Sequence, residues 1–266
     1  DFEGTYDPAW GAIHGIDNDA MELAQFDSGE QGLDVIDAMM EAEDVSLIIV
    51  DSLPCITPMK EMDRSLEDNS APGAQARLIG KFLSKMTQAF VTQRKVGHKP
   101  TVVFVNQWRN KVGGMGDPRV LPGGNQLRYA HSVGVEIKCK PNDEGKDANG
   151  NNVFSHNEHS FKIHKNKTGN SLPAGEFTMI RNPDHPLGAG WIDDADTVVT
   201  FARRFGYLTG EGSAPKVFDD LNETFRTFKD IPDYLYSDLD YYEKLKNRMI
   251  TAQRAKMGLV PDGWYL

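Results

Sequence analysis

Two short apolar segments, each ending in a polar side chain, most constrain how this chain folds. VSLIIVD occupies residues 45–51 and TVVFVN occupies residues 101–106. Continuous apolar runs of this length are typical of parallel strands buried in a sheet. Helical spacing of apolar residues predicts one amphipathic helix over 30–43 and a longer one over 73–94. Helices that alternate with buried strands predict an α/β sheet core.

The next part of the chain has a strand-like pattern. Residues 132–140 and 159–167 are predicted to be strands, and the Asn-Gly of the DANGNN segment between them suits a hairpin turn. EFTMI at 176–180 predicts a further strand. These segments indicate antiparallel hairpins that extend the α/β core.

Beyond residue 182 the character of the chain changes again. Three amphipathic segments, separated by turns that contain Gly and Pro, span 193–208, 217–230 and 238–258. They predict a small, mainly helical C-terminal domain. We therefore divide the chain into a core at 1–182 and a C-terminal domain at 183–266.

The formal net charge of −10 is spread unevenly along the chain. Residues 1–74 carry 18 acidic and 2 basic side chains, whereas residues 75–140 carry 12 basic and 2 acidic ones. A locally basic segment can bind a polyanion even in an acidic chain, because affinity depends on local neutralisation of phosphates. A solvated helix face with ordinary surface lysines is the alternative interpretation of the same charges.

The sequence contains no recognisable membrane segment or secretory signal. No apolar run approaches the roughly 20 residues of a membrane-spanning helix. Cys55 and Cys139 are the only cysteines, and they lie far apart without the spacing of a zinc site. We expect a cytoplasmic protein in a reducing compartment, with no disulfide and no membrane partner.

The first apolar segment ends in Asp51, which is followed by Ser52. A carboxylate at the carboxyl end of a sheet strand can hold Mg²⁺, or its water ligands, beside a nucleoside triphosphate. A strand that simply ends in a turn-favouring aspartate is the alternative. The position of Asp51 therefore predicts a nucleotide site only together with further motifs.

The second apolar segment ends in Asn106-Gln107 and opens into a basic, glycine-rich loop. The loop runs from residue 108 to residue 124 and closes on Gly123-Gly124-Asn125. Its glycines allow the backbone to follow phosphates closely, and its basic side chains supply positive charge. This order indicates a site at the sheet edge that is coupled to a polyanion outside. An unspecific flexible surface loop is the alternative.

Several motifs occur in one register from residue 1 to about residue 180. They are DFEGTYDP at 1–8, LIIVDS at 47–52, FVNQ at 104–107, GGN at 123–125 and HKNK at 164–167. In this order they resemble the RecA-type ATP-dependent DNA recombinases. The resemblance implies a RecA-like P-loop ATPase core, in which a mostly parallel sheet is flanked by helices. It also implies a β-hairpin extension and a small helical C-terminal domain.

The resemblance implies that ATP and Mg²⁺ bind at the end of the first apolar segment. Glu3 would activate the hydrolytic water as general base. Asp51, followed by Ser52, would hold Mg²⁺ through water. Gln107 would sense the γ-phosphate, since a side-chain amide can both donate and accept hydrogen bonds. A polar residue that merely caps the strand is the alternative for Gln107.

Four further residues are assigned to the nucleotide by the same resemblance. Asp7 would lie near the adenine amino group, and Trp10 would stack on the base, where the family usually has Tyr. Lys165 and Lys167 would reach across a filament interface to the γ-phosphate of the neighbouring subunit. Solvated lysines at a strand end are the alternative for this pair.

Two DNA-binding loops are also implied. The first lies within 57–77, where Arg64 and Arg77 are the expected phosphate contacts. The second is the loop at 108–124, whose expected contacts are Arg109, Lys111, Met115, Arg119, Gly123, Gly124 and Asn125. It is about one residue shorter than the bacterial pattern and lacks the usual central Phe. Met115 is therefore the apolar side chain available to contact bases.

The phosphate-binding motif GxxxxGK[ST] does not occur in the 266 residues. Without this loop the triphosphate lacks its main cradle, so we expect the chain alone to bind ATP weakly. We expect the chain to be the C-terminal part of a longer or split protein. The P-loop would then be carried upstream or on a separate polypeptide.

The implied function is ATP-dependent homologous DNA recombination and repair in the cytoplasm of a bacterium or a phage-infected host. The complete protein would form a filament on single-stranded DNA and exchange strands with double-stranded DNA. A RecA-fold ring helicase is one alternative, although it has no reason to keep FVNQ and GGN around a cationic loop. A non-catalytic DNA-binding or assembly subunit is the other, and it leaves Glu3, Lys165 and Lys167 unexplained.

Overall fold

The computed structural model describes residues 1–65, 73–110, 119–141, 144–146, 152–154, 156–169 and 173–256. The chain divides into two compact units. The first unit is formed by Asp1–Gly134 with Lys165–Asn170, and the second by Val135–His164 with Ser171–Leu266. The domain boundary at residue 182 remains a prediction. Within the described residues, no helix is long and apolar enough to cross a lipid bilayer.

The first unit alternates helices and strands, as the apolar periodicity predicts. Its helices are α1 (Pro8–Ile13), α2 (Gly29–Met39), α3 (Met59–Met62), α4 (Ala74–Lys95) and α5 (Gly124–Ala130). Its strands are β1 (Leu47–Val50), β2 (Thr101–Phe104), β3 (Arg109–Asn110) and β4 (Arg119–Val120). A short 3-10 helix, Leu53–Cys55, follows β1. The two helices predicted over 30–43 and 73–94 are confirmed as α2 and α4.

The two apolar segments form neighbouring parallel strands. β1 pairs with β2 in a register that runs from Leu47 opposite Thr101 to Val50 opposite Phe104. One face of this pair packs against α2 and α4, in a core that contains Leu33, Ile36, Met40, Ile48, Val50, Ile79, Phe82, Leu83 and Met86. Burial of these side chains stabilises the first unit.

The other face of the parallel pair differs from the expectation of a strand buried on both sides. Leu47, Ile49 and Val103 are exposed, while Ile48 and Val50 are buried. Side chains alternate across a strand, so a single covering layer of helices buries only every second residue. Within the described residues of the first unit, α2 and α4 cover one face and leave an apolar face open.

The second unit contains most of an antiparallel sheet with the strand order β10–β9–β8–β5. These strands are β5 (Val133–Pro141), β8 (His156–Asn166), β9 (Ala174–Ile180) and β10 (Ile192–Asp193). Strands predicted at 132–140, 159–167 and 176–180 are thus confirmed. Two short strands between β5 and β8 pair antiparallel as β6 (Glu144–Lys146) and β7 (Asn152–Phe154). The predicted Asn-Gly turn lies outside the described residues.

The rest of the second unit is formed by short strands and three helices. The strands are β11 (Leu208–Thr209), β12 (Lys216–Phe218) and β13 (Thr224–Phe225), and the helices are α6 (Ala195–Phe205), α7 (Ile231–Ser237) and α8 (Leu239–Lys256). Their common core includes Val198, Val199, Ala202, Phe218, Phe225, Ile231, Leu235, Tyr242 and Leu245. Helices α6 and α8 confirm the predictions for 193–208 and 238–258.

The helix predicted over 217–230 is wrong. This segment forms the antiparallel pair of β12 and β13, followed by a 3-10 turn at Phe228–Asp230. The pairing buries Phe218 and Phe225, whose rings meet edge to face with centroids 6.0 Å apart. Packing of these two rings against Tyr241 and its neighbours outweighs the weak local preference for a helix.

Candidate functional site

Glu3 and Ser52, which are 49 positions apart in the sequence, meet at the carboxyl end of β1. The Ser52 Oγ donates a hydrogen bond of 2.5 Å to the Glu3 Oε1. The neighbouring Phe2 N–H donates to the Asp51 carbonyl at 2.6 Å, so residues 1–3 run beside the end of β1. Ser52 is fully buried, whereas Glu3 is exposed. The structure therefore brings together the two predicted segments that carry Glu3, Asp51 and Ser52.

The carboxylates of Glu3 and Asp51 interact electrostatically. Burial raises the pKa of Asp51 above its ordinary value, and the negative charge of Glu3 raises it further. Among the described residues, no lysine or arginine forms an ion pair with either carboxylate. Two neighbouring carboxylates supply oxygen ligands of the kind that a hard divalent ion such as Mg²⁺ prefers.

A metal ion at this position would need ligands beyond the protein. Within the described residues, no group of three or more His, Cys, Asp or Glu side chains is arranged to hold a metal ion. Mg²⁺ usually keeps several waters and binds through one or two carboxylates and substrate phosphates. Asp51, with Glu3 beside it, is compatible with that mode of binding.

Asp7 and Trp10 lie on the first helix of the chain. The Asp7 carboxylate caps α1 by accepting hydrogen bonds from the backbone N–H groups of Ala9 at 2.9 Å and Trp10 at 3.4 Å. The Trp10 side chain is 43% exposed, and its ring meets the edge of His14 at 4.8 Å. Helix capping gives Asp7 a structural role. Contact of either residue with adenine stays a prediction.

The end of β2 is tied to the end of the basic loop. The Asn106 Nδ2 donates to the Pro122 carbonyl at 3.0 Å, and the Asn106 Oδ1 accepts from the Gln107 N–H at 2.9 Å. The side chain of Gln107 is exposed. Asn106 thus links the segment that follows β2, which carries Gln107, to the residue that precedes Gly123. A sensor role for Gln107 stays a prediction, and this link gives it a route to the loop.

The stem of the basic loop places an aromatic ring beside a cation. Arg109 pairs with Val120, and Asn110 with Arg119, as the two-residue strands β3 and β4. The Arg119 guanidinium lies over the Trp108 ring, 4.8 Å from its centroid. Trp108 is 39% exposed. The predicted contacts Lys111 and Met115 lie outside the described residues.

The glycine pair at the end of the loop has a packing role. Gly123 and Gly124 have φ angles of +104° and +71°, which favour glycine. A Cβ on Gly124 would lie 3.3 Å from the Ala76 Cβ, and one on Gly123 would lie 3.1 Å from the Leu127 Cδ2. The two glycines therefore let α5 start close against α4. Binding of phosphate by this turn and by the exposed Asn125 stays a prediction.

A cavity of about 550 Å³ opens where the two predicted DNA-binding loops come together. Residues 56–58 and 73–76 line one part of it, and residues 120–124 line the other. Glu61 also lines the cavity, and the Arg64 guanidinium lies 3.6 Å from its carboxylate. The exposed Arg77 extends towards Gly73, the residue that precedes α4. The structure thus places both loop ends around one cavity in the first unit.

Lys165 and Lys167 bind the carboxyl end of α5. The Lys165 Nζ donates to the Arg128 carbonyl at 2.5 Å, and the Lys167 Nζ donates to the Tyr129 carbonyl at 2.9 Å. Burial lowers the pKa of Lys165, and the positive charge of Lys167 lowers it further. Cations at the last carbonyls stabilise a helix end. This capping explains the pair within one subunit, and its role towards a neighbour stays a prediction.

Comparison with known proteins identifies the family. The sequence profile of the RecA N-terminal domain matches residues 1–183. The chain belongs to the RecA family. Protein RecA of Corynebacterium urealyticum is 28% identical over 275 residues, which cover 98% of this chain and 70% of that protein. Protein RecA of Mycoplasma mobile is 31% identical over 255 residues, or 95% of this chain and 70% of that protein.

A third relative matches a shorter stretch of the chain at higher identity. Protein RecA of Mesomycoplasma hyopneumoniae (strain 7448) is 38% identical over 169 residues, which cover 63% of this chain and 47% of that protein. All the predicted site residues lie within the segment 1–183 that matches the RecA N-terminal domain. The matches thus span about half to 70% of the relatives' own length.

The RecA resemblance assigns no role to three residues that lie at the site. The Cys55 Sγ lies 3.6 Å from both the Glu3 Oε1 and the Ser52 Oγ. Asn106 and Trp108 flank Gln107 in the sequence, and an amide and an aromatic ring next to a candidate residue are signals that could have included them. Cys55 has no comparable signal, because its neighbour Glu3 lies 52 positions away.

Proposed function

We propose that this chain is the major part of a RecA-type recombinase that acts in homologous recombination and repair. The complete protein forms a filament on single-stranded DNA, exchanges strands with double-stranded DNA, and hydrolyses ATP at subunit interfaces in the cytoplasm. The observation that carries this proposal is the contact between Glu3 and Ser52 at the carboxyl end of β1. That edge of an α/β sheet is the usual location of a nucleotide site.

Glu3 is the general base of the proposed hydrolysis. Its exposed carboxylate accepts the proton of the attacking water, and the Ser52 hydroxyl fixes the orientation of that carboxylate. Asp51 would hold Mg²⁺ through water, and the bound ion would supply positive charge against the phosphate oxygens. The pKa of Asp51 is raised first by burial and then by the charge of Glu3, which supports this assignment, because a bound cation would favour the ionised carboxylate.

The periphery of the nucleotide site is formed by residues that the structure leaves accessible. Trp10 presents a partly exposed ring for stacking on adenine, and Asp7 lies at the start of the same helix. Gln107 senses the γ-phosphate, and Asn106 passes this signal to the loop end through its contact with Pro122. Lys165 and Lys167 serve a neighbouring subunit by exchanging the carbonyls of α5 for phosphate oxygens.

Single-stranded DNA binds around the cavity between the two loops. Arg109 and Arg119 supply cations at one side, and Arg64 and Arg77 supply them at the other. The Trp108 ring, with Arg119 on it, provides a surface on which a base can stack. The excess of 12 basic over 2 acidic side chains in residues 75–140 supports this interface.

The triphosphate cradle comes from a segment other than residues 1–266, either on the same polypeptide or on a partner polypeptide. The 266 residues contain no GxxxxGK[ST] motif. The open apolar face of Leu47, Ile49 and Val103 supports an additional α/β segment, because such a face on a parallel pair is usually covered by helices. Covering it would complete both the sheet and the nucleotide site.

Binding to single-stranded DNA tests the proposal in the chain itself. A fluorescently labelled oligothymidylate, followed by anisotropy over a range of salt concentrations, should bind with an affinity that falls steeply as salt rises. A double variant, Arg109→Ala with Arg119→Ala, should bind the oligonucleotide more weakly than the unsubstituted chain. The control variant Lys229→Ala, in the second unit, should bind it as tightly as the unsubstituted chain. Absence of binding at low salt would contradict the proposal.

A test of the proposed ATP hydrolysis requires the P-loop segment in addition to this chain. ATP hydrolysis should appear when a polypeptide carrying GxxxxGK[ST] from a RecA relative is added, and it should depend on DNA. DNA binding that no nucleotide or added segment alters would instead favour a non-catalytic DNA-binding subunit. Rings rather than filaments in electron micrographs would favour a helicase.

A further inference from the structure

Gln75 joins the start of α4 to the turn that follows β1. Its Nε2 lies within hydrogen-bonding distance of three backbone carbonyls, those of Leu53 at 3.4 Å, Pro54 at 2.9 Å and Ile56 at 2.9 Å. A primary amide has two N–H groups, so the two shorter contacts are full hydrogen bonds and the third is shared. This side chain therefore fixes the path of residues 53–56.

One end of this connection lies at the catalytic carboxylate. Ser52 directly precedes the fixed turn and donates its hydroxyl to Glu3. Cys55, within the turn, has its Sγ 3.6 Å from the same Glu3 oxygen. A displacement of residues 53–56 would therefore move two of the side chains that contact the Glu3 carboxylate.

The other end lies at the proposed DNA site. Ile56, Ala74, Gln75 and Ala76 all line the cavity between the two loops. A phosphate backbone bound in this cavity would touch α4 and the turn at the positions that Gln75 connects. Gln75 is half-buried, so its side-chain contacts are partly shielded from water.

We propose that Gln75 is a positioning residue that couples single-stranded DNA in this cavity to the orientation of Glu3. DNA against residues 74–76 shifts the Gln75 amide, the amide shifts the turn at 53–56, and the turn moves Ser52 and Cys55 relative to Glu3. This inference rests on the proposed function, because it takes DNA as the ligand and Glu3 as the base. It adds a second connection, separate from the one through Gln107 and Asn106.

The reactivity of the Cys55 thiol tests the coupling without nucleotide. Cys55 is half-buried and Cys139 is exposed, so the Cys139→Ser variant leaves one cysteine to report on the turn. Reaction with a chromogenic disulfide reagent is followed with and without saturating oligothymidylate. We expect DNA to change the Cys55 rate by about fivefold or more, the lower end of usual coupling between two sites.

The Gln75→Met variant removes both N–H donors while keeping a side chain of similar length. At oligothymidylate concentrations that saturate each variant, it should reduce the DNA-dependent change in the Cys55 rate to less than about twofold. Gln88→Met, at an exposed position of the same helix, is the matched control and should retain the full change. If Gln75→Met fails to fold, Gln75→Glu serves instead, because a carboxylate at neutral pH cannot donate to carbonyls.

Three results separate the coupling from the proposed function. Failure of the unsubstituted chain to bind oligothymidylate overturns both. DNA binding with an unchanged Cys55 rate overturns the coupling alone. An equal change in the rates of Gln75→Met and the unsubstituted chain also overturns it, since DNA would then be covering Cys55 directly.

Discussion

Carboxylates in the two units accept hydrogen bonds from hydroxyl groups, but in very different surroundings. In the second unit, three aspartates each accept from a tyrosine hydroxyl, in the pairs Asp193–Tyr236, Asp194–Tyr242 and Asp220–Tyr241. Cations accompany two of these pairs, with the Lys246 Nζ 3.3 Å from Asp194 and the Arg248 Nη1 2.9 Å from Asp220. The charge of these two carboxylates is therefore balanced locally.

At the end of β1 in the first unit, the surroundings of the carboxylates differ. Glu3 accepts from Ser52, but neither Glu3 nor Asp51 has a lysine or arginine partner among the described residues. The pKa values of Asp51 and Asp220 shift in opposite directions, in agreement with this difference. The pKa of Asp51 is raised by burial and by Glu3, whereas that of Asp220 is lowered despite its burial. Carboxylates paired with lysine or arginine stabilise a fold, whereas neighbouring carboxylates without such a partner mark a candidate site.

Replacing Glu3 should give the largest effect. Glu3→Gln keeps an oxygen for the Ser52 hydroxyl but removes the base, so ATP hydrolysis in the assembly with the P-loop segment should fall by about 10²–10⁴-fold. The melting temperature should hardly change, because Glu3 is exposed. Turnover is measured by phosphate release with saturating DNA.

Glu22→Gln, at another exposed position of the first unit, is the matched control and should keep full turnover. Equal turnover of Glu3→Gln and the unsubstituted protein would show that the unpaired carboxylate is not the base. The lack of a lysine or arginine partner at Glu3 and Asp51 would then not indicate a catalytic site.

The aromatic rings that carry cations allow a second comparison. Arg119 lies over the exposed Trp108 in the first unit, whereas Arg203 lies 4.0 Å from the centroid of Phe228, a partly buried ring at the core of the second. Trp108→Ala should weaken binding of oligothymidylate by about 5–100-fold, the usual value of one base–aromatic stack. Trp108→Phe should retain most of the affinity, since it keeps an aromatic face.

Trp191→Ala, at an exposed tryptophan of the second unit, controls for the loss of a large ring. We expect its affinity for oligothymidylate to be unchanged. A loss of affinity in Trp191→Ala as large as that in Trp108→Ala would show that the loss is not specific to the loop stem.

A tyrosine of the second unit tests the structural side of the comparison. Tyr242→Phe removes the buried hydroxyl that donates to Asp194 and should lower the free energy of unfolding by about 1–2 kcal/mol. Tyr234→Phe is the control, because the Tyr234 hydroxyl makes no hydrogen bond within the described part of the chain. ATP turnover should be unchanged in both. Equal free energies of unfolding for the two variants, measured by calorimetry, would contradict a stabilising role for the hydrogen bond between Tyr242 and Asp194.

Local patterns predict the elements that frame the site. The apolar runs at 45–51 and 101–106 become β1 and β2, because burial against α2 and α4 needs short strands of apolar residues. The motif order from Glu3 to Lys167 predicts RecA family membership, which the sequence comparison confirms. These features depend on neighbours in sequence or on a fixed motif, and both are visible in a single chain.

Contacts that depend on packing could not be predicted in this way. Residues 217–230 have a helical pattern, but the burial of Phe218 and Phe225 makes their first part a strand pair. The Gln75 amide finds its carbonyls about 20 positions upstream, and nothing in its local sequence marks it. Capping of α5 by Lys165 and Lys167 likewise depends on where β8 runs relative to α5, which the local sequence does not show.

The smallest predicted effect concerns acid stability and the charge balance of Asp220. Burial alone would raise the pKa of Asp220, but the Tyr241 hydroxyl and the positive charges of Arg248 and Lys244 hold it below the ordinary value. A depressed pKa contributes stability that is fully present above the unfolded-state value of about 3.9. The contribution is lost as the pH falls through the folded-state pKa.

Asp220→Asn should therefore lower the free energy of unfolding at pH 7 by about 1 kcal/mol or less. The effect is small because the amide oxygen still accepts a hydrogen bond from Tyr241, and Arg248 keeps its ion pair with Asp219. The difference between variant and unsubstituted chain should shrink below pH 4 and vanish once Asp220 is protonated in both states. Urea unfolding at a series of pH values measures this. A difference that stays constant down to pH 2 would mean that the carboxylate charge contributes nothing, and that the balance seen in the second unit is one of hydrogen bonds alone.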